Sequence, residues 1–162
     1  MVEKLFARLL PKNVSPATYG LGILQAKTYR ILKAKTASYL KRFEITTVDW
    51  AILGTLFSCS DGMALSTLSE HLGVKSPLIT RRTSILVKKH LIQRKVAQDD
   101  SRSRIVSLTL QGKKLVPVIE KGLRHDIKSL FAGCSARELI SFIRVMAKVA
   151  EHLNEVDEQD ED

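Results

Sequence analysis

Apolar residues recur at three- and four-residue spacing along most of this chain, the period of helices with one buried face, and switch to alternation in one short region. Pro11, Ser15 and Pro16 mark a break after the N-terminal segment. Residues 17–43 then carry Leu21, Leu24, Ile31, Leu32 and Leu40 as apolar positions, with Lys27, Lys33, Lys35 and Lys41 between them. The pattern predicts a helix of about seven turns. That is longer than one small core can cover, so such a helix packs against another chain as well. Glu44 and Ile45 interrupt it. Thr46 caps the next helix, with Asp49 three residues on in an approximate capping box. VDWAILGTLFSC is apolar nearly all round, as a central core helix is. Asp61-Gly62 predicts a turn.

Residues 64–111 read helix, turn, basic helix, strand, polar basic tip, strand. Leu65, Leu68 and Leu72 form one apolar face, and Gly73 breaks that helix. The second helix opens with Ser76 and Pro77, proline being suited to a first helical turn. It presents Thr80, Arg81, Ser84 and Lys88 to one side and Ile79 and Leu86 to the other. Arg82 falls on the inner edge, where it either snorkels outward or pairs with an acid. LIQRKV and IVSLTL follow as strands: Ile92 and Val96 alternate with Gln93 and Lys95, while Val106, Leu108 and Leu110 share a face. The joint between them, AQDDSRSR, has no apolar residue beyond Ala97, so its tip is free to leave the surface. Gln111-Gly112 is expected to end the hairpin. A brace helix followed by a helix with a polar, basic outer face is how proteins place a helix in the DNA major groove, and the hairpin after it is a wing.

A further helix is predicted from Lys113 to about Phe131, with Pro117 near its start, where proline costs least. Ala132-Gly133 is a turn. Ser135 and Glu138 make a capping box for a last helix whose apolar stripe is Leu139, Phe142, Ile143, Met146 and Val149. EVDEQDED reads as a solvated, disordered acidic tail.

Charge sharpens this picture. The chain has 162 residues and a net charge of +9. Residues 75–104 hold nine lysines and arginines against Asp99 and Asp100, a net of +7. The last twelve residues hold seven acids and no lysine or arginine, which leaves +16 on residues 1–150. A surface that basic attracts a polyanion, since each neutralised phosphate releases counterions. The hydrophobic share of 44% is enough for one real core.

On a groove-facing helix Arg81 suits bidentate reading of guanine, and Thr80 suits a thymine methyl or a phosphate. Ser84 and Lys88 suit phosphates. With Ser76 and Pro77 at the leading end, these six make the candidate DNA-contacting set of the helix. At the tip, Arg102 and Arg104 suit a narrow minor groove, while Asp100 orients an arginine or closes the turn.

Other chemistry finds little support. His71, His90, His125 and His152 are scattered and show no metal-ligand spacing, so no metal or cofactor is expected. G-x-S-x-G, phosphate-cradling glycine loops and dinucleotide fingerprints do not occur, and the acids of the folded part read as few and unpaired, so catalysis is not expected. Cys59 and Cys134 lie far apart without C-x-x-C spacing and read as buried small hydrophobes. No apolar run of about 18 residues occurs, which argues against a membrane helix. MVEKLFARLLPKN lacks a cleavage pattern, so a cytoplasmic protein is expected.

The order of these pieces resembles the MarR (multiple antibiotic resistance regulator) family of dimeric winged-helix transcription regulators. The resemblance covers residues 19–153, and EITTVDWAILGTL, the LSEHLGV…LVKKHLI spacing, DSRSRIVSLTLQGKKL and LFAGCSARELISFIRVM carry it. The family's wing reads D-x-R-D-x-R, five residues, then L-T. Aligned on Leu108-Thr109, Asp100 and Arg102 match its second Asp and last Arg, while Ala97 and Asp99 stand at its first Asp and first Arg. Arg102 thus inherits the wing-arginine role, shared with Arg104. His90 stands where the family usually has a glycine after the recognition helix, a position favouring a left-handed backbone. Arg82 stands where an aliphatic residue is usual. The resemblance implies a dimer built by the first and last two helices. It also implies an effector cleft between those helices and the DNA-binding lobe, near Tyr29, Trp50, Arg124 or His125. The reactive cysteine of the family's peroxide sensors, near the N-terminal helix, has no counterpart here.

The expected architecture is mainly α with a small β wing: a dimeric winged helix-turn-helix with terminal dimerisation helices. Residues 1–16 form an N-terminal extension, 17–45 and 113–154 the dimerisation helices, 46–112 the DNA-binding lobe and 155–162 the acidic tail. The expected partners are a second copy of the chain, a pseudo-palindromic double-stranded operator and a small-molecule effector that relieves repression. The competing class is an architectural protein without sequence preference, or a winged helix that docks to another protein.

Overall fold

The computed structural model describes residues 18–59, 61–96 and 104–157. Helix α1 (Thr18–Leu40) ends in a 3-10 turn, Lys41–Phe43. It is followed by α2 (Thr47–Ser58), the short strand β1 (Met63–Ala64), α3 (Leu65–His71), α4 (Ser76–Lys88), β2 (Ile92–Val96), β3 (Arg104–Leu108) and α5 (Leu110–Lys128). A second 3-10 turn, Ser129–Phe131, precedes α6 (Ala136–Asp157). The chain divides into two compact units, Met1–Ile127 and Lys128–Asp162.

In the first unit one core gathers Leu40, Ile52, Leu53, Leu56, Leu68, Ile79, Leu86, Ile92, Val106 and Ile119, so each element from α1 to α5 apart from β1 contributes a fully buried side chain. Full burial of one such side chain stabilises the fold by roughly 1.5–3 kcal/mol relative to exposure. The approximate capping box expected at α2 is a complete one. Asp49 N donates to Thr46 Oγ1 (3.2 Å), and Thr46 N donates to Asp49 Oδ2 (2.7 Å).

The wing has one strand more than its sequence suggests. The antiparallel sheet runs β1-β3-β2, with Met63 opposite Val106 and Ile92 opposite Leu108. A strand of two residues is too short to show alternation, so it escapes a pattern search. Gly62, at φ +85°, turns the chain into it, and a Cβ there would lie 2.5 Å from the Val106 carbonyl oxygen.

The junction after the wing also differs from expectation. Leu110 is not a strand residue; it opens α5 and is exposed. Gln111-Gly112 does not end the hairpin but lies within the first helical turn, and Pro117 is inside the helix rather than at its start. Thr109 makes the switch. Its N–H donates to the Leu91 carbonyl (3.1 Å), while its Oγ1 accepts from Gly112 N (3.1 Å) as an N-cap does.

In the second unit Ser135 caps α6 in the expected box: Ser135 N donates to Glu138 Oε2 (2.7 Å) and Glu138 N to Ser135 Oγ (3.3 Å). The Ser135 hydroxyl, donating to Glu138 Oε2 (2.7 Å), and then the Ser135 backbone N–H hold the Glu138 carboxyl below its ordinary value. Helix α6 runs on through Asp157, so Glu155 to Asp157, expected in a disordered tail, are helical; residues 158–162 lie outside the described residues. Neither cysteine is buried: Cys59 is half-buried and Cys134 exposed.

Candidate nucleic-acid interface

Helices α3 and α4 form the helix-turn-helix. Gly73, at φ +58°, makes the turn between them. The buried Ser69 hydroxyl fixes that turn, donating to the Val74 carbonyl (2.6 Å) and sharing a hydrogen bond with Ser76 Oγ (3.0 Å). Pro77 sits in the first turn of α4, where the backbone N–H it lacks would have no intrahelical partner. Ile79, Thr83 and Leu86 point inward and are fully buried, whereas Ser76, Pro77, Thr80, Arg81 and Lys88 are exposed. Ser84 is half-buried. Its hydroxyl donates to the Thr80 carbonyl (2.8 Å) and accepts from Arg94 Nη2 (2.8 Å), so it is already engaged within the protein.

Arg82 pairs with an acid. Its Nε donates to Asp49 Oδ1 (2.8 Å) and its Nη2 to Asp49 Oδ2, which fastens α4 to α2. Asp49 is 1% exposed, and its carboxylate accepts from Arg82 and from both Thr46 N and Thr46 Oγ1. Hydrogen bonding to Asp49, and its charge, raise the Arg82 pKa against the opposing effect of burial. The reading of the acids as unpaired is therefore corrected. The signal was present in the sequence: Asp49 stands at helical spacing with Ile52, Leu53 and Leu56, a carboxylate on a buried face.

Past α4 the backbone reverses at His90, whose φ of 57° is the left-handed conformation that a glycine would adopt freely. Arg94 on β2 reaches back to α4, where its Nη2 donates to the Thr80 carbonyl (3.1 Å), Thr83 Oγ1 (2.7 Å) and Ser84 Oγ (2.8 Å). Sequence spacing gave no hint of this contact, since it depends on how the hairpin folds onto the helix. At the wing, Arg104 opens β3 and is exposed. Asp100 and Arg102 lie outside the described residues.

The four residues expected near an effector cleft do not share one cavity. Trp50 and Arg124 line an open hollow of about 570 Å³ together with Gly54 and Phe57 of α2 and Val116, Pro117, Glu120 and Lys121 of α5. An ion pair between Arg124 Nη2 and Glu120 Oε1 (2.8 Å) lies at this hollow. Tyr29 instead lines a second hollow, about 310 Å³, formed by α1, α2 and the residues Leu72 and Val74. The Lys33 ammonium stands 5.3 Å from the Tyr29 ring centre there. His125 is exposed and lines neither hollow. Among the described residues no helix is long and apolar enough to cross a membrane, and no group of three His, Cys, Asp or Glu side chains is placed to hold a metal ion.

No family model matches the sequence. Solved structures do match. A MarR transcriptional regulator from Methanosarcina mazei Go1 superposes with a TM-score of 0.74 at 24% identity, over 82% of this chain and 97% of that one. The S. aureus MepR–DNA complex gives a TM-score of 0.70 at 24% identity, over 81% of this chain and 96% of that one. A mutant MarR from E. coli complexed with operator DNA gives 0.70 at 22% identity, over 80% of this chain and 92% of that one. The brace helix, the outward-facing basic helix and the β hairpin thus recur together in known proteins, and the fold of this chain is that of the MarR-family winged helix-turn-helix transcription regulators.

Proposed function

We propose that the chain is a homodimeric, sequence-specific double-stranded DNA-binding transcription regulator, acting in the cytoplasm as a repressor that a small effector relieves. The observation that carries this reading is α4. Its inner face is locked to the core by Ile79, Thr83, Leu86 and the Arg82–Asp49 pair, while Thr80 and Arg81 stand exposed on its leading half. A rigid helix with a polar, cationic outer face is what groove reading requires, because side-chain placement must survive contact with the duplex. DNA complexes of two proteins with the same fold, MepR and MarR, support it.

In this reading each α4 enters a major groove and each wing the flanking minor groove. Arg81 reads a base and Thr80 a base or phosphate, with Ser76 and Pro77 at the entry and Lys88 on a phosphate. Ser84 contributes through the bonds of its hydroxyl to Thr80 and Arg94 more than through a contact of its own with DNA. Asp100, Arg102 and Arg104 serve the wing. The second copy covers the exposed apolar side chains of α1 (Ile23, Tyr29, Ile31) and of α6 (Ile140, Phe142, Ile143, Val145, Met146). The hollow beside Trp50 and Arg124, with its apolar wall and charged rim, is the better effector site of the two.

The test compares two kinds of contact on a selected operator and on random duplex. Arg81→Ala should cost ~1–3 kcal/mol on the operator and relax preference at one base per half-site, whereas Lys88→Ala should weaken all sequences alike and flatten the salt dependence. Equal effects of both changes on operator and random DNA would favour an architectural protein without sequence preference.

A further inference from the structure

Arg94 differs from the other fixed cations of the first unit in what holds it. Arg82, Lys89, Arg124 and Arg42 each stand against a carboxylate: Asp49, Glu44, Glu120 and Asp126. Arg94 is held by neutral acceptors only, the Thr80 carbonyl and the hydroxyls of Thr83 and Ser84, all through Nη2. No carboxylate pairs with it among the described residues, and its Nε and Nη1 have no partner among them. The residue is exposed. The result is a guanidinium oriented through one nitrogen, whose two N–H groups are shared among three acceptors, with no carboxylate on it and no partner for its other donors among the described residues. Holding it costs a flexible side chain its rotamer freedom, and that cost is already met before any ligand arrives.

Its position says which anion it suits. Arg94 lies on β2, the first strand of the wing hairpin, yet touches α4 at Thr80, directly beside Arg81. It therefore stands at the junction between the recognition helix and the wing. A duplex that takes α4 in its major groove and the hairpin in the adjacent minor groove must carry the sugar-phosphate strand dividing those grooves across this junction. We infer that Arg94 is a phosphodiester clamp: Nη2 holds the recognition helix while Nη1, at the far end of the group, donates to one backbone phosphate between the two grooves. The planar fork of arginine suits this double duty, since it can address two groups in one fixed geometry. The inference rests on the DNA-binding reading above and adds to it a contact that neither the helix face nor the wing tip supplies. It also gives Thr83 and Ser84 a purpose as the seat of the clamp.

The experiment uses the full-length protein, a selected operator duplex and a random duplex of the same length. Arg94→Gln should weaken both by the same factor, roughly tenfold per protomer. The slope of log affinity against log salt should shrink by about 0.9 per protomer, the value of one lost phosphate contact. Phosphate-ethylation interference on the operator should lose one sensitive phosphate per half-site, located between the bases read by α4 and the wing's minor groove. Arg94→Lys, which keeps the charge without the fork, should restore the salt slope while recovering only part of the affinity. Weaker binding by Arg94→Gln with an unchanged slope and ethylation pattern would overturn the clamp and leave a structural role alone. A native chain that binds neither duplex would overturn the DNA reading together with it, so the two failures are told apart by the unmodified protein.

Discussion

Asp49 precedes Ile52 by three residues and Leu56 by seven, so helical spacing turns it inward with them. A carboxylate so placed must be paired or protonated, and Arg82 supplies the pairing from 33 positions along the chain. Spacing along one helix names a face but not the partner across from it. That is why Arg82 could be read as misplaced for an aliphatic site while its contact stayed open. His90 behaved differently: its place after the recognition helix marked a left-handed residue, and φ is indeed 57°. The ion pair has a measurable consequence. Arg82→Leu restores an aliphatic residue there but strands Asp49 without its cation. It should lower unfolding free energy in urea by about 3–5 kcal/mol, the usual cost of breaking a buried pair from one side. A loss below about 1 kcal/mol would mean that the pair does not fasten α4 to α2.

Between elements, legibility followed the strength of the local signal. The α2 and α6 capping boxes, the α3–α4 turn and the two long wing strands stood out, because caps, glycine turns and alternation are encoded within a few residues. The β3–α5 junction did not, since IVSLTLQGKKL runs strand and helix signals together and Thr109 serves both. Gly112 explains why the helix can begin so close to the sheet. A Cβ there would lie 2.1 Å from the Leu91 carbonyl oxygen. In an unhindered helix Gly→Ala stabilises by about 1 kcal/mol. Here Gly112→Ala should instead destabilise by about 1–3 kcal/mol in the same unfolding assay, because backbone must shift to admit the methyl group. At α6, the bonds from Ser135 depress the Glu138 carboxyl below its ordinary 4.5. A depressed acid contributes stability that is present above the ordinary value and is lost as pH falls through the lower, folded one. Amide exchange in the first turn of α6 should therefore quicken as pH drops below 4.5, relative to its expected intrinsic pH dependence. Glu138→Gln should remove that step, and its persistence in the variant would assign it to another group.

Across the whole molecule, charge and apolar surface point to two different partners. The net +7 of residues 75–104 suits a polyanion, and α4 presents Arg81 and Lys88 of that charge outward. The exposed apolar side chains of α1 and of α6 suit a second copy of the chain, whose two-fold symmetry would be copied into the DNA it selects. The effector reading was the least legible part, because a cavity is assembled from several elements and no local pattern announces it. Trp50 and Arg124 came together, but Tyr29 and His125 did not join them. The central claim is that two copies read DNA sequence together, and selection of bound fragments from a random pool of duplex DNA tests it most directly. The account predicts enrichment of one pseudo-palindrome whose half-sites are centred about one helical turn, ~10 bp, apart. Recovery of fragments with no shared motif, or of a single half-site without its symmetric mate, would contradict it.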